Sequence, residues 1–149
     1  MGVNGLVIVF ICNHCPYAVA LWDRLIKASH LFKEQGVNMV AINPNINPRY
    51  ESDSPEHMRQ LSDEKSLPFP YLVDRNQEVA RLYEAQCTPD IYVLNAKNDC
   101  VYHGRFDDSW QDESTVRSHD LIQAVQLMVE GHSISREFPA MGCSIKWNE

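Results

Sequence analysis

The sequence predicts an α/β fold: a central mixed β-sheet flanked by α-helices, with a helical insertion after the second strand. Three observations carry that prediction. Leu6–Ile11 is a continuous apolar run rich in β-branched residues, the pattern of a strand buried on both faces. Ala18, Leu21, Trp22, Leu25, Ile26, Ser29 and Phe32 then recur at helical spacing before a second apolar run, Val37–Ile42, which makes a β-α-β unit and favours a parallel pair. Later, Ile91–Leu94 and Cys100–His103 flank the turn-rich Asn95–Asp99, the pattern of an antiparallel hairpin.

The remaining elements follow in order. Pro16 suits the first turn of the first helix, and Gly36 stops it. The stretch 43–53, with Pro44, Pro48 and three asparagines, has loop chemistry. Ser54 and Pro55 supply an N-cap and a first helical residue for a helix reaching about Lys65, with Met58 and Leu61 inward. Tyr71–Val73 reads as a short strand. Asp74 and Gln77 resemble a capping box opening a helix that buries Val79, Leu82 and Tyr83. A last helix is expected near Ser118–Glu130, ending at Gly131. Residues 132–149 show no periodicity. The expected organisation is one domain over 1–131 and an irregular tail, 132–149, packed upon it.

At 149 residues, 44% hydrophobic and 22% charged, the chain can build a single core. A net charge of −7 without a long basic run argues against nucleic acid and anionic membranes as partners. No apolar run is long enough to span a bilayer, and Leu6–Ile11 lacks the flanks of a secretory signal. A cytoplasmic location is the expectation, and the oligomeric state is left open. Five cysteines at scattered spacing do not form a secreted disulfide framework.

Only Cys12 and Cys15 have a close, chemically suggestive spacing. Where a strand gives way to a helix, unpaired backbone N–H groups and the helix dipole stabilise a thiolate. Cys12, at the helix mouth, is the expected low-pKa nucleophile. Cys15, one turn in, is the expected resolving thiol. An imidazolium at His14 would stabilise the thiolate further and place the couple above the roughly −270 mV of thioredoxin; as a solvated loop residue His14 would do little. The pair is also half of a zinc site, with Cys87, Cys100, Cys143 and six histidines as conceivable further ligands. No second C-x-x-C exists to complete such a site, so no metal and no other cofactor is expected.

A strand, then Cys12-Asn13-His14-Cys15-Pro16, then Thr88-Pro89 before a hairpin resemble the thioredoxin superfamily and imply a thioredoxin-like fold. More closely, the chain resembles its peroxiredoxin-like branch, the alkyl hydroperoxide reductase/thiol-specific antioxidant proteins. Phe10–Tyr17, Val40–Asn43, Phe69–Leu72, Cys87–Asp90, Asp107–Ser109 and Gly142–Trp147 carry this resemblance. It implies a cis Pro89 against the cysteine pair, with the adjoining backbone holding the substrate chain. It makes Asn13, His14, Pro16, Thr88 and Pro89 supporting residues around Cys12 and Cys15. Family members usually carry an N-terminal β-hairpin region before the first strand, which is expected to be missing here. The Pro and Thr of the peroxiredoxin P-x-x-x-T-x-x-C pattern fall on Gly5 and Val9, and the Trp and buried Asp of thioredoxin fall on Ile11 and Leu6.

Cys87 reads as a third redox partner, a soft ligand or an inert buried thiol. Cys143, in the tail, reads as a resolving thiol or a packed residue beside Ile145 and Trp147. Cys100 is expected in the core. Asp107 and Asp108 read as solvated loop acids, the alternatives being acid/base work or a cation site. The expected activity is thiol–disulfide exchange with a protein or small thiol/disulfide substrate. Thiol-dependent peroxidase and soft-metal binding are the alternatives.

Overall fold

The computed structural model describes residues 3–13, 15–134 and 137–147. Its main sheet has five strands in the order β3-β2-β1-β5-β6, with β1 Gly5–Phe10, β2 Val37–Asn43, β3 Tyr71–Val73, β5 Asp90–Asn95 and β6 Cys100–Gly104. The pairs β1–β2 and β2–β3 are parallel, whereas β1–β5 and β5–β6 are antiparallel, so the sheet is mixed. The helices are α1 Pro16–Glu34, α2 Pro55–Lys65, α3 Glu78–Leu82 and α4 Asp120–Val129.

Strand β1 is the centre of the molecule because both of its faces are apolar. Val7 and Val9 join the cluster that contains Leu21, Trp22, Leu25 and Phe32 of α1 and Leu121 and Val125 of α4. Ile8 and Phe10 point the other way, into a smaller cluster with Ala80, Ala85, Tyr92 and Ile145. This period-two split is what a two-sided apolar strand dictates.

Some elements depart from the pattern read along the chain. The helix after β3 has five residues, and Leu82 at its end is 77% exposed rather than inward. Gln77 does not form a capping box. It adopts a left-handed conformation (φ 60°), and the backbone N–H groups of Val79 and Ala80 are capped by the Asp74 carboxylate instead. The Gln77 amide is fully buried and donates to the carbonyls of Pro44 and Lys146, tying a loop to the tail. Cys100 is exposed, because it opens an edge strand beside a register shift at Val93/Leu94.

The tail is not wholly irregular. Cys143–Ser144 forms a strand, β7, that pairs antiparallel with β4, Cys87–Thr88, in a second small sheet. Ile145, beyond it, is buried in the smaller cluster. Among the described residues no helix is long and apolar enough to cross a membrane.

Candidate active site

The two cysteines sit where the central strand leaves the sheet. Ile11 N–H still donates to Ile42 O (2.9 Å), holding the chain in line one residue past β1. The helix starts only at Pro16, whose missing N–H costs nothing at a first helical position. Cys15 is therefore the N-cap, with extended backbone (φ −62°, ψ 133°) and its carbonyl accepting from Val19 N–H. This corrects the placement expected from the sequence: the helix mouth belongs to Cys15, and Cys12 lies before it. Both thiols are free and fully buried.

Each thiol shifts the titration of the other. Cys15 is pushed down to about 4, chiefly because the Cys12 thiol donates to its sulfur; burial opposes this, and Cys143 and the N–H groups of Ala18 and Tyr17 assist. Cys12 is pushed up because it retains the proton of that hydrogen bond, with burial and the Asp53 carboxylate adding to the rise. Two contacts to Thr88 favour the opposite distribution. Its hydroxyl donates to Cys12 Sγ (3.4 Å), and its carbonyl O accepts from Cys15 Sγ (3.6 Å). We assign the resting anion to Cys15, since the helix-start amides face its sulfur and the Asp53 charge bears on Cys12. The expectation of a lowered pKa on Cys12 is thus reversed, because Pro16 sets the helix start one turn later.

Asn13 anchors the segment between the sulfurs. Its N–H donates to Asp53 Oδ1 (2.6 Å), its amide donates to Ser52 O (2.8 Å), and its Oδ1 accepts from the Tyr71 hydroxyl (2.8 Å). Asp53 is fully buried at the end of a 3-10 turn, Glu51–Asp53. Asp53 and Tyr71 were not among the residues singled out from sequence. A carboxylate in a loop carries no periodic signal, and the Tyr71 hydroxyl meets Asn13 only because β3 lies beside β2. His14 lies outside the described residues.

Thr88 and Pro89 complete the wall. The Thr88–Pro89 peptide bond is cis, and Thr88 is fully buried against both sulfurs. Beside it, Tyr17, Trp110, Pro89, Phe106 and Met141 line an apolar groove, with the Tyr17 and Trp110 rings 4.0 Å apart. Cys87 lies one residue earlier on β4. Its thiol faces Pro89 O (3.8 Å) and is pushed up to about 12, first by burial. Cys143 sits opposite Thr88, and burial above all, then the Cys15 sulfur, pushes its thiol up to about 11. Thr88, whose hydroxyl and carbonyl meet Cys12 and Cys15, therefore also stands opposite Cys143.

The two acids after β6 are structural in different ways. Asp107 is buried and paired with the equally buried Arg24 of α1 (2.9 Å), which corrects the expectation of a solvated residue. Asp108 is exposed and accepts from the N–H groups of Arg117 and Ser118; these bonds hold its carboxyl below the usual range. Among the described residues no group of three or more histidine, cysteine or acidic side chains is arranged to hold a metal ion.

The chain is similar to two solved structures over 99% of its length. One is an uncharacterized conserved protein from Geobacillus kaustophilus (40% identity, TM-score 0.92, 79% of that chain). The other is a hypothetical protein from Sinorhizobium meliloti (34% identity, TM-score 0.92, 81% of that chain). A thioredoxin-like protein solved in its oxidized form shares the fold at 17% identity, with a TM-score of 0.69 over 89% of this chain and 82% of that one. No curated protein matches the chain. The AhpC/TSA family matches residues 2–103. With a mixed five-stranded sheet of thioredoxin-like fold and a family match over more than half its length, this chain belongs to the AhpC/TSA family.

Proposed function

We propose that the protein is a thiol–disulfide oxidoreductase whose working couple is Cys12/Cys15. The observation that carries this reading is the buried pair of free thiols, Cys12 and Cys15, both in contact with Thr88. Family membership and the fold support a redox role. Cys12 passes its proton to Cys15 across their hydrogen bond and attacks a substrate disulfide, releasing one substrate sulfur as a thiolate. That leaving thiolate takes up the Cys15 proton. Cys15 then attacks Cys12 Sγ and the mixed disulfide breaks; the second substrate sulfur leaves as a thiolate that takes a proton from water, and the protein holds a disulfide. A thiolate stabilised in the reduced state makes the couple more oxidising. Asn13, Pro16, Thr88 and Pro89 position the sulfurs in this reading, and the substrate is a protein or small-molecule disulfide.

The test is the rate of disulfide exchange with oxidised glutathione and the equilibrium it reaches. Cys12→Ser should slow exchange at least tenfold while the variant stays folded. Turnover at the wild-type rate would refute the assignment.

Family membership favours peroxide reduction as a second reading, with Cys12 oxidised to a sulfenic acid. The position of the peroxiredoxin threonine holds Val9, a fully buried apolar residue of β1 that has no hydroxyl to offer a peroxide. Peroxide consumption with a dithiol donor decides it: a rate no greater than that of a free thiol excludes the reading.

A further inference from the structure

The tail crosses the site in a position that a bound substrate peptide would take. An extended chain that delivers a sulfur to Cys12 or Cys15 needs a backbone edge to lie on, and β4 provides one beside both thiols. Here β7 already occupies that edge, with Thr88 opposite Cys143 and Cys87 opposite Ser144. The approach is so close that a Cβ at residue 142 would overlap the Thr88 carbonyl and crowd Pro89 N, so only glycine lets the strap lie there.

The strap is anchored just past its sulfur. Ile145 N–H donates to Gln86 O (3.2 Å), Lys146 N–H to Asn45 Oδ1 (3.0 Å), and the Gln77 amide to Lys146 O (2.8 Å). Ile145 is buried, and the Arg81 guanidinium lies 4.6 Å over the Trp147 ring. These contacts hold Cys143 opposite Thr88, whose carbonyl meets the Cys15 sulfur.

We propose that Cys143 is a third redox thiol, presented by the chain's own tail as an internal substrate, which exchanges with the oxidised pair to form an alternative Cys15–Cys143 disulfide. This rests on the Cys12/Cys15 couple of the proposed function. The pair is first oxidised by its disulfide substrate. Cys143 then loses its proton and its sulfur attacks Cys15 Sγ. The Cys15–Cys143 bond forms as the Cys12–Cys15 bond breaks. Cys12 leaves as a thiolate and takes up the proton, so electrons and protons balance within the chain. Cys15 is the sulfur under attack because its Sγ meets the carbonyl of Thr88, the residue that Cys143 faces across the strand pair.

Oxidation of the pair also arms the attacker. Burial raises the Cys143 thiol most, and the Cys15 sulfur raises it further by hydrogen bonding and charge, while Lys146 lowers it. When Cys15 enters a disulfide its charge is gone, and the lysine's effect persists. Cys87 is the competing thiol, but its sulfur faces Pro89 O rather than the pair.

The experiment oxidises the reduced full chain with oxidised glutathione, quenches in acid, alkylates free thiols and maps the disulfides by tryptic peptide mass spectrometry. In wild type, Cys12–Cys15 is the expected main product, with a second population linked through Cys15–Cys143 and alkylated at Cys12. In Cys12→Ser, an intramolecular Cys15–Cys143 disulfide should be the main product, and Cys12→Ala should give the same result, each checked for folding by circular dichroism. Cys143 recovered alkylated in both variants, or Cys15 linked to Cys87, overturns the inference. If wild type still forms Cys12–Cys15 in that case, the proposed function stands and only the third thiol fails. If wild type forms no Cys12–Cys15 link, both fail.

Discussion

Two segments bring sulfur to the same place by opposite means. Residues 10–16 are local: a strand ends, two cysteines follow, and proline opens a helix. Residues 142–147 arrive from the far end of the chain and are held by tertiary contacts: a two-residue strand, one buried isoleucine, a cation–π contact to Trp147 and a few hydrogen bonds. The first segment owes its geometry to backbone rules, and the second to packing. Perturbations should therefore damage the first chemically and the second mechanically.

The largest expected effect is chemical. Cys12→Ala removes the donor that chiefly holds the Cys15 sulfur as an anion. Its titration should move from about 4 toward the ordinary thiol range near ~8.5, read by ultraviolet thiolate absorbance. The sign for stability follows. A folded pKa below the unfolded value stabilises the reduced chain fully above ~8.5, and this contribution is lost as pH falls to about 4. Cys12, raised in the fold, acts oppositely and only in alkali, where the folded chain keeps a proton that the unfolded chain sheds. Reduced wild type should thus lose stability between neutral pH and about 4, and the variant should lose less. An unmoved Cys15 titration would mean that the helix-start amides alone hold the anion.

Next comes the platform under the first segment. Arg24 and Asp107 are both buried and tie α1 to the loop after β6. Asp107→Ala strands the Arg24 charge and should cost about 3–5 kcal/mol in denaturant unfolding. Asp108→Ala, next in sequence but exposed, should shift the midpoint far less. Equal effects would show that the acids act as one unit rather than through burial.

The strap should yield more easily. Ile145→Ala removes the side chain that pins the tail into the smaller cluster, and should cost about 2 kcal/mol, the low end for a buried isoleucine. The cost should appear first as local release: Cys143 and Cys15 should alkylate faster at denaturant concentrations that leave global unfolding unchanged. Faster alkylation only at the global transition would make the tail part of one cooperative unit.

The same contrast explains what was legible in the sequence. Strand β1, helix α1, the parallel pair and the late hairpin were readable because period-two and helical patterns state burial directly. So was the Cys12–Cys15 spacing, since reach along the backbone is local. The helix boundary was misjudged by one turn, which moved the favoured thiolate from Cys12 to Cys15. Cys100 was misplaced because a strand pattern does not reveal that its first residue lies on an edge. Asp53, Gln77 and the pairing of Cys143 with Thr88 join residues far apart in sequence, and no periodicity encodes such a meeting. Leu82 misled because a helical pattern was extended past the five residues that the fold accommodates.

The smallest expected effect separates the anchor of the first segment from its chemistry. Tyr71→Phe keeps the ring, which packs edge-on against Trp22 at 4.9 Å, and removes only the hydroxyl that donates to Asn13 Oδ1. Asn13 retains its bonds to Asp53 and Ser52, and the freed oxygen is near enough to the surface to meet water. A neutral hydrogen bond in such a place is worth about 0.5–1.5 kcal/mol, and the loss should sit at the lower end. The Cys15 titration should not move, because the amides of Tyr17 and Ala18 and the Cys12 thiol are untouched. A loss beyond about 3 kcal/mol would exceed any single neutral hydrogen bond. It would mean that the loop around Asn13, rather than the start of α1, holds the two sulfurs together, and that the local segment depends on tertiary contacts as much as the strap does.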